Sequence, residues 1–540
     1  MNDGARRRVV GVFPASAHGH SKRLTAALEE ALPAVRFEPR NKGELGDLDG
    51  TIEYGAGVQA EAAAALGIPA LRLLVPEPPE PGEDAGQTFG PVEQLDPRLH
   101  GAELPDARLT SALAAAEPAP ERAAVLARCG ELPTWTRRGP LQTALLAPSE
   151  LDPGEALRER LCERRSAALL PVVHFLRELT AEDGWKPPAV RAAFLFDDPN
   201  LHWPSYGFVN LAELGEHAQR HGYHAALATI PLDGWYAHPR ALRTLQESGG
   251  HLSLLVHGND HYGDELGRLR SPSEALAQTA QALRRVRSFE RRNGVRVDPV
   301  MVPPHEQCSQ ATVTGLRRCG FEAITMTQPF PWLGDGARSW LAAPEGTGPL
   351  VGWRPADRVE GLPVLLRHPL TRRSLPELTL RAFLDQPLIL YGHQTDLLEG
   401  LDVLAAAVAD VNRLGATRWC SLGEIAATSF EARRRGSSLA IRPLNRRARV
   451  EIPADVEEMT VEPALGSTPQ NEQLIIDGRS HHFGEPVDVA PGSEAEIVLR
   501  AEDAVEPENV PAPRRRPLAM PRRILSESRD RLAPLLSRAP

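Results

Sequence analysis

The stretch LSLLVHGNDH, residues 252–261, decides how this chain is read. Its apolar run, Leu252 to Val256, has the length of a buried strand and ends on His257, with His261 four residues further on. Upstream, the apolar run AAFLF ends on the carboxylate pair Asp197 and Asp198. Two imidazoles and a carboxylate make a donor set suited to zinc or another borderline divalent metal, with one position left open for water. The second carboxylate can serve as a base. The outline is that of a metal hydrolase.

Working outward, AAFLFDD, AALATIP, LSLLVHG, VMVPP, EAITMT, VLLRHP and LILYGH read as strands, and helical patterns lie between most of them. Repeated strand–helix units predict a parallel barrel or open sheet, whose chemistry sits at the C-terminal strand ends. Asp197, Asp198, His257, His261, His305 and His393 all fall there. His368, in LLRHPL, lies at another such end and is a candidate for supporting the ligands. Asn200, His202 and Trp203 follow the aspartates and could line a sugar site; Trp203 could equally pack beneath a loop, and packing is favoured for Trp235 and Trp332.

Before the barrel, residues 1–90 alternate short strands and helices (RVVGVF, then SKRLTAALEEAL with Ser21 as N-cap) and predict a small α/β domain. The loop PASAHGHSK has the chemistry of an anion site at a helix N-terminus but lacks a glycine-rich phosphate motif, so an ordinary loop is the favoured reading. Residues 91–185 read as a proline-rich linker and a helical segment broken or kinked at Pro171. The barrel spans 186–432. Short alternating strands over 436–503 predict a β-sandwich, and 504–540 a basic tail, disordered or presenting an amphipathic helix to a partner or membrane surface.

At 540 residues the chain exceeds a single core. Hydrophobic residues at 42% and charged ones at 24% are those of an ordinary globular protein, while 5% aromatics leaves the core to Leu, Val and Ala. A net charge of −10 argues against general nucleic-acid binding. Five scattered cysteines form no disulfide framework, and no apolar run reaches the length of a signal core or a membrane span. These features predict a cytoplasmic protein.

The order of these motifs resembles that of the polysaccharide deacetylase family, also called NodB-homology carbohydrate esterases, over about residues 190–430. That resemblance implies a deformed (β/α) barrel and a metal-dependent deacetylase. The family's Thr-Phe-Asp-Asp-Gly stands here as Leu195-Phe196-Asp197-Asp198-Pro199, implying Asp197 as general base and Asp198 as metal ligand. His-Ser/Thr-x-x-His stands as His257-Gly258-Asn259-Asp260-His261, keeping both ligating imidazoles and losing the hydroxyl. The third motif carries an arginine before a proline and an aromatic; Met301-Val302-Pro303-Pro304-His305 keeps the prolines, lacks the arginine, and puts His305 near the substrate-contacting aromatic. Leu390-Tyr391-Gly392-His393 supplies the last histidine, implied as the acid that protonates the leaving group.

The implied cofactor is a divalent metal, zinc first, and the implied substrate a carbohydrate or other N-acylated small molecule. Blander readings compete. Asp198-Pro199-Asn200 has the chemistry of a turn or helix cap, and histidines four apart in a loop are often merely solvated. The functional rival is a non-catalytic carbohydrate- or partner-binding protein on the same barrel.

Overall fold

The computed structural model describes residues 7–537 except 79–81, 153–154, 163, 270, 328–355, 372–373, 416, 465–471 and 515; Trp332 therefore lies outside the described residues. The chain divides into two compact units: 1–185 with 338–354 and 373–384, and 186–337 with 355–372 and 385–540.

The first unit is built on a nine-stranded sheet. Arg8–Phe13 pairs in parallel with Val35–Pro39 and Gly50–Tyr54, and Ala70–Pro76 continues the parallel part out to Leu141–Ala147. The largely apolar strands Arg8–Phe13, Ala70–Pro76 and Leu141–Ala147 suit the interior of a sheet covered on both faces, and alternating Val35–Pro39 suits its edge. The stretch expected as a linker instead carries the strands Glu103–Asp106, Ala124–Cys129, Leu132–Arg138 and Leu141–Ala147. Their short, polar-interrupted antiparallel pattern hides them, yet Leu104, Leu126 and Trp135 are fully buried. Pro171 breaks nothing: it sits in the first turn of the helix Leu170–Leu179, where a missing N–H costs no hydrogen bond. Ser21 precedes the helix Lys22–Ala31 without capping it through its side chain. The carboxylate of Glu150 accepts from the N–H groups of Arg23 and Leu24, at 3.1 and 2.9 Å, and so fills the anion position of that helix.

The second unit holds the barrel. Val190–Asp197 pairs with Ala225–Thr229 on one side and Leu388–Gly392 on the other, and Leu252–His257, Val300–Val302, Ala323–Met326 and Leu362–Pro369 complete a closed parallel ring. All seven strands are those expected from their apolar runs. The ring interior is packed with small and branched side chains, among them Ala193, Leu195, Ala226, Leu255, Val302 and Leu365. Following the barrel, Phe430–Arg435, Ser438–Pro443, Glu458–Val461 and Pro486–Asp488 form one sheet. Arg447–Glu451, Glu494–Ala501, Glu472–Ile476 and Arg479–His481 form a second, and Leu439, Ile441, Val450, Leu474 and Ile497 share one core as the sandwich pattern requires.

The tail, expected to be either disordered or an amphipathic helix, forms a helix, Ala519–Ser537, seated on the barrel. Arg523 reaches Asp233 at 2.7 Å, both side chains about 5% exposed. Arg284 further anchors the preceding segment by donating to the Val510 carbonyl at 2.8 Å. Arg523→Ala strands a buried carboxylate, a loss of about 3–5 kcal/mol for pairs of this kind. We expect hydrogen exchange to show lost amide protection confined to 519–537, with the barrel strands unchanged; unaltered protection of that helix would refute the anchor.

Candidate metal and catalytic site

The barrel register brings the two decisive stretches to one rim. Asp197 ends its strand and Asp198 follows it, while His257 ends the strand two positions round the ring. Asp198 Oδ1 lies 3.6 Å from His257 Nε2 and 3.2 Å from His261 Nε2. One ligand atom from each of the three falls within 4.8 Å of the others, the spacing of a shared cation. Asp198 Oδ1 is buried and accepts no hydrogen bond, which suits an oxygen kept for a metal. His257 pairs in register with Val302, and its Nδ1 lies 2.9 Å from the Val302 carbonyl. That bond commits Nδ1 as the donor and leaves the Nε2 lone pair facing Asp198.

The loop between the histidines is held from below by one carboxylate. Buried Glu265 accepts from the N–H groups of Asn259 (2.6 Å), Asp260 (2.9 Å) and His261 (3.0 Å). Asn259 and Asp260 are tied down in turn by Arg285 and Gln278. Only glycine fits at position 258. Its φ is +63°, and a Cβ there would lie 2.6 Å from Pro304 Cγ and collide with Glu265. Asp198 (φ 76°), His261 (φ 51°) and His305 (φ 56°) also adopt left-handed backbone, so strain is concentrated where the donors converge.

The electrostatics divide the group. Burial works against a charged Asp198, but the His257 contact and the positive fields of His257, His261 and Arg523 hold its carboxyl well below the usual carboxylate range. Burial likewise opposes a charged His257, and Asp198 and Asp197 overcome it and push that imidazole up. His261, buried beside His257, is pushed down to about 3. Asp198 as a carboxylate and His261 as a neutral imidazole are thus in the protonation states that a metal requires.

Asp197 is buried, and both its oxygens accept from Arg367 Nη1, at 2.9 and 2.8 Å. This guanidinium comes from the strand Leu362–Pro369, not from the segment before Pro303. Arg367 also donates to Glu306 through Nε at 2.8 Å and lies 4.2 Å over the Tyr391 ring. Sequence reading singled out the neighbouring His368; the better signal was a guanidinium inside the buried run VLLRHP, which demands an anionic partner.

The other candidates separate. His305 is exposed, its ring 5.1 Å from that of His261. His393 is exposed and follows Gly392, which pairs with Phe196, so it stands one strand from Asp197. Asn200 is buried, its oxygen accepting from His202 N and Arg531. His202 has both ring nitrogens engaged, by Asp233 O at 2.9 Å and Glu527 at 3.1 Å. Of that trio only Trp203 is open, at 56% exposure.

No protein-family model and no curated protein matches this chain. Among solved structures it is similar to a carbohydrate deacetylase, at 8% identity over 92% of this chain and 98% of that one, with a TM-score of 0.44. It is similar to a family 4 acetyl xylan esterase from Clostridium thermocellum in complex with a cobalt ion, at 13% identity over 43% and 89% of the two chains (TM-score 0.25). A family 4 carbohydrate esterase from Streptomyces lividans in complex with acetate stands at 9% identity, 42% and 88% coverage, and a TM-score of 0.25. Likeness at this distance assigns no activity.

The Glu265 cradle makes a specific demand on Gly258. Gly258→Ser should destabilise the loop by roughly 1–3 kcal/mol through strained backbone and overpacking. Thermal unfolding beside zinc titration checks this: zinc affinity should fall along with stability, and a variant binding zinc like the wild type would contradict it.

Proposed function

We propose that this chain is a metal-dependent hydrolase that removes an acyl group from an N-acyl sugar or related amide. The observation that carries the reading is the convergence of Asp198, His257 and His261 beside an Asp197 clamped by Arg367. Asp198, His257 and His261 would hold the cation, zinc being the best match to one oxygen and two nitrogens. A bound divalent cation supplies Lewis acidity toward the acyl carbonyl and activates water at neutral pH.

The protein's own groups do the rest. Asp197 takes the proton of the attacking water, and Arg367 holds both carboxylate oxygens so that a lone pair is aimed at the reacting centre. His393, as imidazolium, protonates the leaving nitrogen. His305, exposed with its ring 5.1 Å from that of His261, contacts the sugar, while Asn200 and His202 shape the loop that carries Trp203.

Metal analysis and acetate release test this together. Wild type should retain zinc and release acetate from N-acetylated glycans in a chelator-sensitive way, and His257→Ala should lose both. Asp197→Asn should keep the metal and lose roughly 10²–10⁴-fold in turnover, the usual worth of a general base. Metal-free wild type, or an Asp197→Asn enzyme at full rate, would overturn the assignment. Arg367→Gln should retain zinc yet cut turnover at least about tenfold, because a freely rotating base loses its alignment. A rate unchanged by that substitution would show the clamp to be purely structural.

A further inference from the structure

The helix Ala519–Ser537 carries its charged face inward and its apolar face outward. Inward, Arg523 pairs with Asp233, Glu527 meets His202, Asp530 accepts from the Tyr206 hydroxyl at 2.8 Å, and Arg531 reaches Asn200 and the Ser205 carbonyl. Outward stand Ile524, Leu525 and Leu532, with Leu518 just before the helix, all between 52 and 72% exposed. Leu518, Leu525 and Leu532 recur every seventh residue and so form one stripe. A surface helix of a soluble protein buries its apolar stripe; this one presents it to solvent.

Exposed aromatics border the stripe. The Trp203 ring lies 5.8 Å from the Arg531 guanidinium and the Tyr262 ring 5.2 Å from that of Arg522. Trp235 and Tyr236 flank the His202 ring held by Glu527, at 5.0 and 6.1 Å. These four aromatics and four aliphatics are eight of the thirteen large apolar side chains exposed among the described residues, gathered on one face.

We infer that this face docks on an anionic lipid bilayer. Leucines on an outward helix stripe bury into the acyl boundary, and Trp and Tyr take the headgroup level beside them. Charge complements the surface. Arg514 and Arg522 are exposed around the stripe, and Arg529, also exposed, pairs at 2.8 Å with Asp530, while Glu527 is engaged by His202; the face therefore carries more arginine than carboxylate on a chain of net charge −10. A second copy fits poorly, since a two-fold contact through this stripe sets arginine against arginine. A glycan would use the aromatic shelf and leave the leucines exposed. Tyr262 follows His261 directly, so the edge of this face adjoins the Asp198–His257–His261 rim. The docking surface stands whether or not that rim is catalytic.

The test uses the full-length protein and phosphatidylcholine vesicles with and without phosphatidylglycerol. Wild type should co-sediment with the anionic vesicles, weaken with salt, and show tryptophan emission quenched by brominated lipid. Leu525→Ser combined with Leu532→Ser should weaken binding at least about tenfold, and Arg522→Glu with Arg529→Glu should abolish the preference for anionic lipid. Leu66→Ser, on an exposed leucine of the other unit, should change nothing. Folding of each variant is checked by circular dichroism. The inference fails if folded wild type ignores both vesicles, or if the double leucine variant binds as wild type does. It fails equally if those leucines prove to mediate a concentration-dependent dimer, or if the face captures soluble oligosaccharide through Trp203 while vesicles are ignored.

Discussion

Closure of the seven-stranded ring through Val190–Asp197 is the constraint on which the site depends. That strand is hydrogen-bonded to Ala225–Thr229 and to Leu388–Gly392, so its C-terminal end cannot shift without opening the barrel. Asp197 and Asp198 leave it at a fixed height, and the register of Leu252–His257 with Val300–Val302 sets His257 at the same rim. A slip of one residue would turn either side chain to the opposite face. The sheet fixes Asp197 and His257, and the loops that follow these two strands carry Asp198 and His261.

What the sheet does not hold, a shell of buried ion pairs and carboxylate cradles does. Glu265 gathers three successive N–H groups under the histidine loop, and Arg367 bridges Asp197 to Glu306. Left-handed backbone at Asp198, His261 and His305 is tolerated because these neighbours over-determine it. The same device recurs on the outer face, where the C-terminal helix is held by Arg523, Glu527, Asp530 and Arg531 instead of by apolar packing. Charge-held attachment frees the apolar stripe of that helix for another role.

Much of the barrel was legible because most of its strands carry short apolar runs separated by helical patterns, and several of them end in a polar residue. Glu103–Asp106 and Ala124–Cys129 were not, because short antiparallel strands with polar interruptions look like linker. His257, His261 and Asp198 were recognisable as a donor set. Arg367 was not assigned to Asp197, because the two are 170 residues apart and nothing local ties a strand-borne arginine to one particular carboxylate. His202 and Asn200 have the chemistry of sugar contacts in sequence, and the structure spends them on the C-terminal helix, a partner more than 300 residues away.

The amino-acid order alone determined which residues could become strands and which side chains could bind a cation, since hydrophobic periodicity and donor chemistry are local properties. Only the tertiary structure decided which carboxylate faces the imidazoles and which meets a guanidinium. It also decided that the tail is a seated helix with Leu525 and Leu532 outward. Those outcomes depend on distances between remote segments, and such distances are set by ring closure and by the need of every buried charge for a partner.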